Sequence, residues 1–193
     1  EISQEWLIRF LEHRIGDRRI IRLIQKWLTA GILEDGIVTV SDKGTAQGSV
    51  ISPLLANIYL HYAFDLWTER WRQREATGDM IIVRYADDFI IGFQHETDAQ
   101  RFLDGMRKRL GEFALSLHPE KTRLIEFGRF AAERRRRRGL GKPESFEFLG
   151  FTFICGKTRT GKFQIKRKTR RDRMQTKLKM IKEEMWRRMH QPI

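Results

Sequence analysis

The chain has 193 residues, of which 40% are hydrophobic and 11% aromatic, which suffices for one ordinary domain and excludes an intrinsically disordered chain. Its one cysteine, Cys155, excludes an internal disulfide, no charged-then-apolar leader opens the chain, and no run approaches the length of a membrane span. We therefore expect a soluble, cytoplasmic protein without a membrane partner. The net charge of +13 favours an anionic binding partner.

The first part of the chain is mainly helical in pattern. Apolar residues at helical spacing predict three helices, over residues 3–15, 17–30 and about 52–75. Ser52 and Pro53 provide a capping residue and a first-turn proline for the third helix. This helix has five apolar or aromatic residues on one face: Leu55, Ile58, Tyr59, Tyr62 and Leu66. A short strand is predicted at 38–40, before the glycine-bounded loop KGTAQGS at 43–49.

Extended patterns become frequent after residue 79. The runs MIIVRYA (80–86) and FIIGF (89–93) predict two short strands on either side of Asp87 and Asp88. Thr97 and Asp98 begin another predicted helix, whose inward residues are Phe102, Met106, Leu110 and Phe113. Strand-like pieces follow at 121–127, 145–155 and 163–167. Helices and strands alternate irregularly, so we predict an α+β fold with an antiparallel sheet covered by helices.

The end of the chain carries the positive charge. Residues 1–120 contain 15 Lys and Arg against 18 Asp and Glu, whereas residues 121–193 contain 23 against 7. This asymmetry is typical of a surface that follows a phosphate backbone. The run Arg134–Arg138 predicts an exposed loop, which either contacts RNA non-specifically or is only solvated. From Arg170 to about His190 we predict a basic amphipathic helix with an apolar stripe of Met174, Leu178, Ile181, Met185 and Met189.

Asp87 and Asp88 are two adjacent carboxylates between apolar strands. As turn residues alone they are a poor choice, because tight hairpins favour Asn-Gly or Asp-Gly and because neighbouring like charges repel. A divalent cation removes that repulsion. Mg²⁺ is held by one or two carboxylates together with substrate phosphates, so we predict a magnesium site at this pair, with Mn²⁺ as a substitute.

Four stretches in order along the chain resemble motifs of bacterial and group II intron-encoded reverse transcriptases. Tyr85-Ala86-Asp87-Asp88 resembles the YxDD motif of that family. The other three are GTAQGSVISPLLANIYL (44–60), LSLHPEKT (115–122) and FEFLGFTF (146–153). The chain departs from the family at Ala46, where proline is usual. The order and spacing agree across nearly the whole chain, and the maturase-type branch is the most similar.

The resemblance implies a ferredoxin-like polymerase palm over residues 1–167, with a YADD hairpin, followed by the start of a helical thumb over 168–193. It implies nucleotidyl transfer with two Mg²⁺ ions, Asp87 and Asp88 as metal ligands, and an RNA template, a DNA primer and deoxynucleoside triphosphates as partners. Intron RNA is a further implied partner.

The same resemblance assigns roles to other residues. Ala46, Gln47 and Gly48 would contact the nucleotide or the template, together with Tyr85 and Ala86. Tyr85 either packs under the primer end or belongs to the core. Phe148, Leu149, Gly150 and Phe151 would form a hairpin that grips the primer. Lys121 either protonates the departing pyrophosphate or is a plain surface lysine, since an unperturbed lysine is a poor acid at neutral pH.

Two functions remain open from the sequence: an RNA-directed DNA polymerase, or a non-catalytic RNA-binding module that assists intron splicing. A metal-dependent nuclease is weaker, because nuclease sites normally use more carboxylates or histidines. The resemblance places the fingers and the first catalytic aspartate before Glu1. We therefore expect this chain alone to be inactive in synthesis, and an uncovered sheet edge would favour a homodimer.

Overall fold

The computed structural model describes residues 2–29, 32–34, 37–39 and 51–189, and the chain divides into two compact units, residues 1–124 and 125–193. The helices are α1 (Gln4–Glu12), α2 (Arg18–Thr29), α3 (Ser52–Leu60), a turn of π-helix (His61–Asp65), α4 (Leu66–Arg74), α5 (Glu96–Glu112), α6 (Ala131–Arg137) and α7 (Arg171–Arg188). The strands are β1 (Ile32–Glu34), β2 (Ile37–Thr39), β3 (Met80–Tyr85), β4 (Asp88–Phe93), β5 (Phe146–Phe148), β6 (Phe151–Lys157) and β7 (Phe163–Thr169).

The α+β class and most predicted elements are confirmed. The described strands form three separate antiparallel sheets, β1–β2, β3–β4 and β5–β6–β7, in place of the single ferredoxin-like sheet that the resemblance implied. Within the described residues each strand pairs only with its neighbours in sequence, through short connections. The predicted boundary between palm and thumb at residues 167 and 168 stays a prediction.

The first unit has two apolar clusters on either side of the π-helical turn. One cluster joins α1, α2 and α3 and includes Leu7, Leu55 and Tyr59. The Tyr59 hydroxyl, fully buried, donates a 2.6 Å hydrogen bond to the carbonyl of Phe113 and so satisfies its polar group. The other cluster packs α4 and α5 against one face of β3 and β4. Its members are Phe64, Trp71, Met80, Phe102, Met106 and Leu110, which confirms the predicted inward face of α5.

The π-helical turn explains an error in the predicted helix face. One straight helix would place Tyr62 and Leu66 in the core with Leu55 and Tyr59, but Leu66 is exposed. A π-helical turn holds an extra residue, which rotates the following helix and brings Phe64 and its neighbours inward instead. The Arg109 side chain donates hydrogen bonds to the carbonyls of Tyr62 (3.3 Å) and Ala63 (3.2 Å), which stabilises the turn.

Three other local predictions are wrong. The predicted strand at 121–127 does not form, because a strand needs a hydrogen-bonded neighbour and no described strand pairs with this segment. Ser52 is the first residue of α3 and not its cap, since Ile51 occupies the capping position without a side-chain hydrogen bond. The predicted loop at Arg134–Arg138 is largely helical, because Ala131 is buried at the start of α6 and arginine is a good helix former.

The second unit contains the three-stranded sheet. Leu149 (φ 49°) and Gly150 (φ 81°) both have positive φ, so β5 and β6 are joined by a type I′ turn, and Phe148 pairs with Phe151 across it. One face of the sheet is aromatic and packs on the segment before α6 through Phe127 and Phe146, whose ring centroids are 4.9 Å apart. The apolar stripe predicted for α7 is exposed, and no described residue of α7 is buried.

Asp98 fixes the connection between α4 and β3. It lies in the first turn of α5, is 2% exposed, and accepts hydrogen bonds from the backbone N–H of Thr77 (2.8 Å) and Gly78 (3.3 Å) and from the Thr77 hydroxyl (2.9 Å). Arg101 donates a further bond at 3.0 Å. Burial by itself would raise the pKa of Asp98, but together these hydrogen bonds lower it below its ordinary value.

This arrangement predicts acid-sensitive folding. The folded-state pKa of Asp98 is depressed, so its stabilisation is complete above the ordinary aspartate pKa of about 3.9 and is lost as pH falls through the folded-state value. Asp98→Asn should lower the melting temperature at neutral pH and weaken the acid dependence below about pH 4. Thermal unfolding followed by circular dichroism across this range measures both effects.

Asp104→Asn is the matched control, because Asp104 lies on the same helix but its side chain is 70% exposed and bridges only Arg107. We expect little change from it. Equal losses of stability in the two variants would contradict the role assigned to Asp98.

Candidate active site

The two predicted metal ligands lie at the end of a two-stranded hairpin, which we call the acidic hairpin (β3, β4 and the turn Ala86–Asp87). Asp88 is the first residue of β4 and pairs with Tyr85, so Ala86 and Asp87 form a two-residue turn. All four residues of the YADD sequence are exposed. In the described part of the chain, neither carboxylate forms a hydrogen bond or an ion pair with another side chain.

The turn has an unusual backbone. Ala86 has φ 53°, in the left-handed region that tight hairpins require but that glycine normally occupies. A non-glycine residue in this region is strained, and such strain persists only where surrounding contacts hold it. The contact that holds this turn comes from Arg84.

The Arg84 guanidinium uses all three of its nitrogen atoms in contacts with the protein. Nε and Nη2 donate to the two carboxylate oxygens of Asp65, at 2.7 and 2.6 Å, in a bidentate ion pair. Nη1 donates to Asn57 Oδ1 and to the carbonyl of Ala86, both at 2.8 Å. The Arg84 side chain is only 16% exposed. One side chain therefore joins α3, the π-helical turn and the turn of the acidic hairpin.

Because Arg84 is paired with Asp65, its charge is not available to compensate the charges of Asp87 and Asp88. Arg84 is the cation nearest to them in the sequence, but its charge is paired with Asp65. Two adjacent exposed carboxylates without a paired cation suit an external divalent ion, since Mg²⁺ takes one or two carboxylates and completes its shell with water and phosphate oxygens. The described residues contain no cluster of three or more His, Cys, Asp or Glu side chains that could hold a metal alone.

The face of the acidic hairpin that points away from the helices is apolar and open. Ile81, Val83 and Tyr85 alternate along β3 on this face and are 69%, 47% and 64% exposed. The interpretation of Tyr85 as a core residue is therefore wrong. Its ring stands next to the two carboxylates, where it is available to a bound molecule.

The remaining predicted site residues belong to different parts of the chain. Lys121 is exposed in the turn His118–Thr122, where the Thr122 N–H donates to the carbonyl of His118. Phe148, Leu149, Gly150 and Phe151 belong to the second unit, at the β5–β6 turn. The space beside Gly150 is filled by the Arg173 guanidinium, which lies 2.6 Å from where a Cβ would be. Ala46, Gln47 and Gly48 lie outside the described residues.

Sequence reasoning missed the three residues that hold the turn: Asn57, Asp65 and Arg84. A signal was present for Arg84, because it is the only charged residue in the run MIIVRYA. In the structure it lies between two exposed residues of β3 and is itself partly buried. Nothing in the sequence pattern indicated its partner, because the π-helical turn that orients Asp65 has no simple periodicity.

Comparison with known proteins identifies the family. The model of the reverse transcriptase (RNA-dependent DNA polymerase) family matches residues 1–153. The chain belongs to the reverse transcriptase family. This confirms the resemblance seen in the motifs, and the described part of this reverse transcriptase chain has no helix long and apolar enough to cross a bilayer.

Three relatives illustrate its similarity to intron-encoded and bacterial proteins. The group II intron-encoded protein LtrA of Lactococcus lactis is 47% identical over 60 residues, which are 31% of this chain and 10% of LtrA. An uncharacterized 91 kDa protein in the cob intron of Schizosaccharomyces pombe is 48% identical over 60 residues, 31% of this chain and 7% of that protein. Protein YkfC of Escherichia coli is 26% identical over 85% of this chain and 46% of YkfC. The chain spans less than half the length of each of these relatives.

The Arg84–Asp65 ion pair should contribute measurably to folding stability. Arg84→Lys keeps the charge but loses the bidentate fork and the bonds to Asn57 and Ala86, so we expect a loss of about 2 kcal/mol in the free energy of unfolding. Asp65→Asn should cost a similar amount, and the double variant less than the sum, because both substitutions disrupt the same bidentate contact. Chemical denaturation of the four proteins measures this coupling.

Arg72→Gln is the matched control, since Arg72 pairs with Glu69 on an exposed helix surface and should contribute little. Additive effects of Arg84→Lys and Asp65→Asn would show that the ion pair does not couple the hairpin to the π-helical turn.

Proposed function

We propose that this chain is part of the catalytic core of an RNA-directed DNA polymerase from a group II intron-type retroelement. Family membership and the similarity to an intron-encoded protein support the class of reaction. The observation that carries the proposal is the exposed Asp87–Asp88 pair, presented on a strained turn while the neighbouring cation, Arg84, is paired with Asp65. Such an exposed pair of carboxylates can bind a divalent ion from solution.

Asp87 and Asp88 are the residues that would hold Mg²⁺, or Mn²⁺ in its place. When bound, the ion neutralises charge on the reacting phosphate and on the oxygens that attack and leave. Two ions are expected from the family resemblance, and a second ion would need ligands in addition to this pair. The contribution of the protein is placement, because Arg84 and Asn57 fix the turn before any substrate binds.

The other proposed roles concern substrate contacts. The exposed ring of Tyr85, beside the carboxylates, would pack against the primer end or the incoming deoxynucleotide, and Ala86 would lie close to the same ligand. Gln47 and Gly48, with Ala46, would contact the template or the nucleotide. Phe148 to Phe151 would contact the primer, and Lys121 would serve either as a proton donor to pyrophosphate or as a surface lysine.

The partners that follow are an RNA template, a DNA primer and deoxynucleoside triphosphates, and the similarity to LtrA supports intron RNA as a further partner. In this proposal residues 1–167 form the palm and residues 168–193 begin the thumb. A non-catalytic role in splicing would require RNA binding without synthesis, and the same experiment separates it from the polymerase.

The acidic pair gives the decisive test. Asp87→Asn with Asp88→Asn should reduce Mg²⁺-dependent primer extension on an RNA template by more than about a thousandfold, because the metal ligands are lost. RNA affinity should stay equal or rise slightly, since two negative charges near the phosphates are removed. Extension assays and RNA binding are both measured on the full-length protein.

Asp104→Asn with Glu112→Gln removes the same charge from exposed positions on α5 and should retain full extension. If the Asp87 and Asp88 double variant extends primers as well as this control does, the metal assignment is wrong. If the wild-type protein binds RNA but extends no primer, the splicing function replaces the polymerase.

A further inference from the structure

Besides the basic helix α7, which also carries acidic residues, the second unit contains two basic segments without any Asp or Glu, and their contacts in the structure differ. One is the run Arg134–Arg138 in and after α6. The other is the β6–β7 hairpin, residues 151–169, which we call the basic hairpin; it contains six Lys and Arg and no Asp or Glu. We propose that the basic hairpin, and not the arginine run, is the surface of this unit that binds the phosphate backbone of nucleic acid. The proposal rests on the proposed function.

Most guanidinium groups of the arginine run contact other groups of the protein. Arg134 and Arg138 both form ion pairs with Glu126, and Arg137 pairs with Glu133 at 2.5 Å. Arg135 donates to the carbonyl of Gly141 at 3.1 Å. In the described chain, four of these five guanidinium groups therefore have an internal partner. A phosphate that binds there would compete with Glu126 and Glu133 for these guanidinium groups.

The cations of the basic hairpin have no such partners. Lys157, Arg159, Lys162, Lys166 and Lys168 are exposed, and none of them forms an ion pair with a described carboxylate. Arg167 is on the aromatic face of the sheet, with its guanidinium 4.7 Å from the ring centroid of Phe151. The nearest acidic side chain across the sheet, Glu147, is paired with Arg170 at 3.2 Å. The positive charge of this hairpin is available to a partner.

The strand register places the lysines on one open face. Lys166 is opposite Ile154 and Lys168 is opposite Thr152, so both lie on the face that does not pack against Phe127. They are two positions apart along β7, about 7 Å, and Lys162, which directly precedes the strand, extends the row of cations to about 20 Å from Lys168. A row of separate cations at this spacing fits successive phosphates along a backbone.

Gly156 leaves room for the Lys166 side chain on this face. The Cγ and Cδ atoms of Lys166 lie 2.8 Å from the position that a Cβ on Gly156 would occupy, and Cε lies 2.9 Å from it. The stem of Lys166 therefore crosses the strand where glycine leaves room, which holds the side chain against the sheet. An ordered lysine stem loses less conformational entropy when its ammonium group binds a phosphate.

A nucleic-acid backbone fits this face better than an acidic protein does. Protein interfaces concentrate aromatic residues and arginine at their centres and are depleted in lysine. The open face of the basic hairpin instead presents Lys166 and Lys168 beside Thr152 and Gln164, while its aromatic residues lie on the opposite face. Lysines without an aromatic anchor are typical of backbone contacts, which neutralise charge without reading sequence.

Two triple variants with the same change of charge test this proposal. Lys162→Gln, Lys166→Gln and Lys168→Gln together should reduce the slope of log affinity against log salt by about 2, and affinity at about 0.1 M salt by roughly a hundredfold, for single-stranded RNA. Arg134→Gln, Arg137→Gln and Arg138→Gln together should change the slope by less than about 0.5. The binding of the 193-residue chain to a labelled RNA oligonucleotide and to an RNA–DNA duplex is measured by fluorescence anisotropy, with circular dichroism as the check on folding.

Equal slope changes in the two triple variants would overturn the assignment and show that only net charge matters. A larger change in the arginine variant would overturn it in favour of α6. Competition by a poly-glutamate peptide as effective as that by RNA would overturn it in favour of an acidic protein. These outcomes concern binding alone, so they are independent of primer extension, which tests the proposed polymerase; a wild-type chain that binds neither RNA nor duplex would overturn both.

Discussion

The ion pair between Arg84 and Asp65 is the interaction on which the first unit depends. Arg84 is in a strand, Asp65 is in a helix, and the same guanidinium reaches Asn57 and the carbonyl of Ala86. Without it the two-residue turn would have no side-chain contact to hold its backbone, because the two carboxylates beside it contact no described side chain. The pair also explains why an arginine is placed in an otherwise apolar strand: its charge is required inside the unit and not at the surface.

The π-helical turn makes this ion pair possible. In an uninterrupted α-helix, Asp65 and the residues after it would point in a different direction relative to Leu55 and Tyr59. The residues that form the two apolar clusters would then not face two different sets of neighbours. The extra residue lets the first half of the helix face α1 and the second half face α5. Arg109 satisfies the carbonyls that the wider turn exposes. Two arginines far apart in sequence thus stabilise one irregular turn.

Much of the fold was predictable because it follows from short-range pattern. Most of the helices, the strands on either side of Asp87 and Asp88, and the inward residues of α5 follow from periodicity and turn residues. What failed depended on contacts and local irregularities that a sequence pattern does not show: the predicted strand at 121–127 lacks a neighbour, the arginine run continues the helix that begins at the buried Ala131, and Leu66 is displaced by the π-helical turn. The acidic pair was identified from the sequence, whereas Arg84, which positions it, needed the three-dimensional contacts.

The alanine in the turn of the acidic hairpin has a consequence for the unfolded chain as well as for the folded one. Glycine at φ 53° would remove the strain but would give the turn many more backbone conformations when the hairpin opens. Alanine limits the backbone conformations of the open turn, so the turn loses less conformational entropy when it closes. The closed turn also has fewer alternative backbone conformations than a glycine turn would have. The two carboxylates are thereby preorganised: the free energy needed to order them is supplied during folding, and an arriving cation does not have to supply it.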